Sequence, residues 1–186
     1  MIAGRALGRW ASRKWNGDVT HVLLVELSAA GRLPQLRLTG SLAGLRENPP
    51  GNSDDQVFRV EGCDTLRRSI AAVRKFVRLV RPRRVLITAI NDACAVGALR
   101  AFEEAGLSAQ CAALGRGAVK DARMEMRRAN SRLIGSVAFF PERYEAAIIK
   151  LANAMLKNEN VSPAVFTAHR LITPDDVDRF YGNDLI

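Results

Sequence analysis

The sequence has no uninterrupted apolar run near the roughly 18 to 20 residues that a membrane-spanning helix needs, so no membrane insertion is expected. Cysteine is scarce: Cys63, Cys94 and Cys111 are an odd set without CxxC spacing. That pattern argues against a disulfide framework or a structural zinc site, and the three read as small buried hydrophobes. Histidine occurs only as His21 and His169, and neither stands beside a serine or cysteine motif of nucleophilic catalysis. There is no GxxxxGK loop followed by Ser or Thr, and Gly115-Arg116-Gly117 lacks the rest of a dinucleotide fingerprint. No cofactor, no metal and no enzymatic activity are therefore expected.

What is present is ordinary for a globular chain. Its 186 residues, 48% hydrophobic and 25% charged, fit one domain with a proper core. The formal charge of +9 raises a nucleic-acid reading, so the distribution matters. Arg5, Arg9 and Arg13 lie along a first helix, Arg67, Arg68, Arg74 and Arg78 along another, and Arg123, Arg127 and Arg128 along a third. No aromatic residues interleave with them and no helix-turn-helix spacing is visible, so they read as solvated helix faces and DNA contact is not expected. The Arg-rich start superficially resembles a transit peptide, but Ala3, Leu7, Trp10 and Ala11 recur at helical spacing and indicate an amphipathic helix. Without a secretory apolar segment the chain as given is expected in the cytoplasm unless a leader has been removed.

Strand and helix signals alternate. His21 to Leu27 reads as a first strand, and Leu38, Leu42 and Leu45 mark a helix that includes Gly40 and Gly44. Those glycines cost about 1 kcal/mol each relative to alanine, so they imply close backbone packing or a nearby ligand. A loop over 48–55 leads to a strand from Gln56 to Glu61. Asp64 or Thr65 then caps a helix with the stripe Leu66, Ile70, Val73, Val77 and Val80, which Pro82 stops. Val85 to Asp92 reads as a buried strand running into a helix that Asn91 or Asp92 caps and Gly106 ends. Cys111 to Leu114 is a strand opening into a flexible turn at Gly115-Arg116-Gly117, followed by a helix near Lys120 to Arg128. Leu133 to Phe140 is the fifth strand, and Pro141 starts a helix with the stripe Ile148, Leu151 and Met155. Ala164 to Ile172 is extended, and Thr173-Pro174-Asp175-Asp176 is a capped helix start. This alternation predicts an α/β fold, a three-layer αβα sandwich around a mainly parallel, doubly wound sheet of order 2-1-3-4-5.

The central turn carries a resemblance. Asn91-Asp92-Ala93-Cys94-Ala95-Val96-Gly97-Ala98-Leu99-Arg100-Ala101-Phe102 resembles the NDxxAxGAlrAl signature of type I periplasmic sugar-binding proteins and of the effector domains of LacI-type repressors. Leu171-Ile172-Thr173-Pro174 is similar to that family's closing liTpeNvd segment. The resemblance implies a Rossmann-like lobe over residues 1–186, the second of two lobes that close over a sugar. In the family an Arg three residues before a Gly contacts sugar hydroxyls, which falls on Arg37 of Arg37-Leu38-Thr39-Gly40; charge pattern alone would make it a surface arginine. The ligand-binding amide falls on Asn91, with Asp92 beside it, although both can equally be helix-cap residues. Two positions depart from the pattern. Gly117 stands where an acid usually chelates hydroxyls, and Phe139 stands where a Gln is common. Phe139 or Phe140 can stack on a ring or belong to the core. Arg37, Asn91, Asp92, Gly117 and Phe139 are thus the candidate ligand positions.

Three functions follow from the resemblance. The first is binding of a small polar ligand, a sugar or related solute, as a lobe of an ABC-transporter substrate-binding protein. The second is the effector and dimerisation lobe of a LacI-type transcriptional regulator. The third is an orphan lobe that self-associates without ligand. The expected partners are accordingly a sugar-like small molecule and either a second copy or a missing first lobe.

Overall fold

A computed structural model describes residues 1–47, 56–62 and 65–185. The expected strand β3 (Val85–Ala89) forms the middle of the sheet, with every residue buried. Its neighbour β1 (His21–Glu26) is buried over its four central residues. Neither alternates apolar with polar, because helices cover both faces. With β2 (Val57–Glu61), β4 (Cys111–Gly117), β5 (Leu133–Ala138) and β6 (Arg170–Ile172), the described residues give a six-stranded sheet in the order β2-β1-β3-β4-β5-β6. The first five strands pair in parallel as the alternation predicts, and β6 adds an antiparallel edge through Ser136 opposite Ile172.

One face carries α1 (Ile2–Trp15) and α2 (Arg32–Arg46), and the other carries α3 (Leu66–Val80), α4 (Asp92–Glu104) and α5 (Lys120–Met126). The α1 and α2 backbones nearly touch. A Cβ on Gly44 would lie 2.1 Å from the Met1 carbonyl oxygen and one on Gly4 1.8 Å from that of Ser41, so close packing accounts for Gly44. Asn91 is the cap of α4, its Oδ1 accepting from the Cys94 amide at 2.8 Å, and Thr65 caps α3 by accepting from the Arg68 amide. Asp64, the other expected cap of α3, the 48–55 loop and Cys63 lie outside the described residues. Cys94 and Cys111 are buried thiols, and burial pushes Cys111 up to about 12.

Several expectations need correcting. Gly115-Arg116-Gly117 is not a flexible turn but the carboxyl end of β4, paired as Gly115↔Ser136, Arg116↔Val137 and Gly117↔Ala138. The glycine at 115 suits a strand here because Asp92 Oδ1 sits 2.2 Å from where its Cβ would be. The fifth strand ends at Ala138, two residues early, since Phe140 turns to φ 51° and buries its ring against Phe180 and Tyr181. Of the expected extended segment only Arg170–Ile172 pairs. The Thr173 hydroxyl does not cap the last helix start but donates there: Asp176 Oδ1 takes the Thr173 amide at 2.6 Å and the Thr173 hydroxyl at 3.2 Å before α7 (Val177–Tyr181). Arg123 and Arg127 are not on a solvated face. They turn inward to Asp184 and Asp178, because α7 and the turn after it pack on α5.

The helix α6 (Glu145–Leu156) forms as its stripe predicts, yet none of its residues is buried. Ile148 is 60% and Met155 59% exposed. Among the described residues no helix is long and apolar enough to cross a membrane, and no group of three or more metal-ligating side chains gathers.

Candidate functional site

In this sheet order β1 and β3 are neighbours while their following helices lie on opposite faces, which opens a crevice at the carboxyl ends of the strands. There α2 contributes Arg37 and Ser41, β4 contributes Arg116, and the segment after β5 contributes Phe139. Together with Val137, His169 and residues 1–3 at the start of α1 they line a cleft of about 220 Å³. The Arg37 guanidinium is exposed and lies over the Phe139 ring, 4.9 Å from its centroid, while one nitrogen reaches the Ile90 carbonyl at a long 3.5 Å. The fork is held by a ring face and one weak bond, so most of its donors point to water.

Arg116 is the opposite case. It is 5% exposed, and its guanidinium donates to the carbonyls of Ala89 and Arg37 and to the hydroxyls of Ser41 and Thr88. These neutral acceptors tie α2 to the ends of β3 and β4 through one side chain. Burial, then the charge of Arg37, lowers Arg116 to about 10, while Asp92 acts in the other direction.

Asp92 sits behind the cleft, 1% exposed. Its Oδ1 accepts from the Ser136 hydroxyl at 2.6 Å and its Oδ2 from the Val119 amide at 2.9 Å, and Ser136 Oγ in turn accepts from the Ala118 amide at 2.9 Å. Burial raises the Asp92 carboxyl above the ordinary Asp range, and the bonds from Ser136, Val119 and Ala118 oppose that rise. The first turn of α4 is thereby fastened to β5 and to the start of α5.

Of the five candidate positions, the structure brings Arg37 and Phe139 together in the cleft. Asn91, half-buried, uses its oxygen as the α4 cap; Asp92 is consumed in internal bonds; Gly117, at φ 122°, ends β4 beside Asp92. None of these three lines the cleft. Arg116 and His169 do, and sequence reasoning missed both. For Arg116 the two flanking glycines hid the signal, since they give the composition of a turn rather than of a strand end. For His169, exposed in an irregular segment, there was none.

No protein-family model and no curated protein matches the chain by sequence. Solved structures match its fold closely. A periplasmic solute-binding protein of an ABC transporter from Actinobacillus succinogenes, with bound D-allose, aligns with TM-score 0.76 at 15% identity, over 95% of this chain and 60% of that one. A galactofuranose-binding protein aligns with TM-score 0.79 at 18% identity, over 99% and 62%. The myo-inositol-binding protein of Caulobacter, with bound myo-inositol, aligns with TM-score 0.75 at 20% identity, over 95% and 58%. The chain spans about 60% of the length of these proteins, and its fold is that of one lobe of a type I periplasmic binding protein.

Proposed function

We propose, from a fold that is one lobe of a type I periplasmic binding protein, that the cleft at the carboxyl ends of β3 to β5 binds a small polar, sugar-like solute, and that the chain is a binding module rather than an enzyme. The observation that carries this reading is the exposed Arg37 fork over the Phe139 ring, in a cleft at the carboxyl ends of β4 and β5. A planar set of donors can chelate neighbouring oxygens, and a ring face suits the apolar side of a pyranose or cyclitol. The solved neighbours with bound D-allose and myo-inositol give independent support. Transport and gene regulation would use this cleft alike.

The test is a thermal-shift screen of this chain against sugars, polyols and sugar acids, with hits titrated calorimetrically. A ligand at 100 times its dissociation constant adds about 2.7 kcal/mol when it binds only the folded state. A saturable shift that Phe139→Ala abolishes is expected. A panel with no saturable shift would sink the reading.

A second reading, self-association, is favoured by one observation: the exposed apolar residues Ile148, Ile149, Met155 and Leu156 of α6. Sedimentation equilibrium should then show a dimer that Ile148→Lys dissociates. A monomer at every concentration removes this alternative.

A further inference from the structure

The chemistry of the cleft narrows the ligand class, an inference that rests on the binding role proposed above. Its lining holds the guanidinium groups of Arg37 and Arg116 and the imidazole of His169, and no carboxylate. Among the described residues neither arginine is paired with an acid. Arg37 has the Ile90 carbonyl and the Phe139 ring, and Arg116 has carbonyls and hydroxyls. Asp92, the acid that acts on Arg116, is held behind the cleft by Ser136 and the Val119 amide. The two positive charges oppose each other, as the lowering of Arg116 by Arg37 records.

A neutral sugar hydroxyl both donates and accepts, so a site for it needs acceptors as well as donors. Side-chain acceptors are few here. Ser41 Oγ already accepts from Arg116 and donates to the Arg37 carbonyl. Phe139 and Val137, which also line the cleft, offer no side-chain acceptor. The cleft is rich in donors and positive charge, which suits a ligand group with acceptors only.

We propose that the cleft recognises an anionic group, a carboxylate or a phosphate, carried by a small sugar or polyol. The exposed Arg37 fork bonds the anion, Phe139 covers the apolar face of the ligand, and the buried charge of Arg116 favours the anion from behind. Exchanging the long Arg37 bond to Ile90 for a charge-assisted one costs the fold little.

The experiment titrates the full chain, by calorimetry and by amide chemical shifts, with matched pairs at constant ionic strength: glucuronate and glucose 6-phosphate against glucose, and gluconate against sorbitol. Each anion is expected to bind at least about tenfold more tightly than its neutral mate, an advantage that shrinks with added salt. Arg37→Gln, on an exposed helix face, should abolish the advantage with the fold intact. The stronger of the glucuronate and phosphate arms identifies which anion the site takes. Equal or tighter binding of the neutral member overturns the anion proposal and leaves sugar binding standing. An advantage that survives Arg37→Gln overturns the assigned fork. If no member of any pair saturates, both the proposal and the binding role fall.

Discussion

At the scale of single residues the most consequential side chains are two buried charged ones beside the cleft, Asp92 and Arg116. In Asp92→Asn the amide nitrogen faces either the Val119 amide, where two donors confront each other, or the Ser136 hydroxyl, which must then turn its proton away and lose its buried acceptor. A lost buried bond with an unsatisfied donor costs about 1 to 3 kcal/mol, readable as a lower urea midpoint at neutral pH. The pH dependence has a definite sign. The folded Asp92 holds its proton to higher pH than the ordinary value of 3.8, so its ionised form costs stability at neutral pH, and acidification through the window above 3.8 relieves that cost. The stability gap between the native chain and Asp92→Asn should therefore widen as pH falls, and the Asp92 carboxyl carbon should titrate above the ordinary range by NMR. A midpoint at or below 3.8 contradicts this. Neither role was legible in the sequence. An Asn-Asp pair before a helix announces a cap, and Asn91 is that cap, but which partner meets Asp92 depends on Ser136, 44 residues away. Arg116 was hidden for a related reason, since two glycines around an arginine give the composition of a turn whatever the sheet does with it.

At the scale of elements, legibility followed burial. β3 is buried throughout and α3 has Val73 and Val77 on its covered face; both were readable from periodicity because the core imposes it. α6 was also readable as a helix, but its pattern says nothing about what it packs on. Its apolar stripe meets none of the described core, so truncating it should be nearly free: Ile148→Ala is expected to change stability by less than about 0.5 kcal/mol. Leu86→Ala, fully buried in β3, should cost about 2 to 5 kcal/mol. Matched denaturation curves decide this, and an Ile148→Ala loss comparable with that of Leu86→Ala would mean that α6 is seated after all. The α5 to α7 contact is the converse case. Arg123 grips Asp184 through two bonds of 2.6 and 2.8 Å and covers the Tyr181 ring at 4.3 Å, while Arg127 adds a bond of 2.9 Å to the Tyr181 carbonyl. The bonds from Arg123 hold Asp184 below the ordinary carboxylate value, so this contribution is present above that value and lost as pH falls through the folded one. Arg123→Ala should free the last turn, seen as faster amide exchange over α7 with protection in β3 unchanged.

At the scale of the whole molecule, the fold was legible because alternating strands and helices allow few ways to cover a parallel sheet, and the order 2-1-3-4-5 is one of them. Of the cleft's lining only Arg37 and Phe139 were named from the sequence, and through the family resemblance, since charge pattern alone makes Arg37 a surface arginine. The rest depends on how α2, β4 and the segment after β5 converge. That convergence also sets a limit on affinity. The cleft is about 220 Å³, below the roughly 300 to 1,000 Å³ of pockets that bury most of a ligand. The solved binding proteins it resembles are longer, and this chain spans 60% of the D-allose-bound one. A ligand seated here is covered on one side, by one exposed arginine fork and one ring, so a large part of its surface stays hydrated. Such a contact set supports a dissociation constant on the order of 1 mM, about 4 kcal/mol, rather than micromolar binding. In an NMR titration the resonances of Arg37, Phe139 and Arg116 should then move continuously, in fast exchange, while those of α5 and α7 stay fixed. Slow exchange with a micromolar constant would show that this lobe encloses its ligand unaided, and that the cleft tightens when it is filled.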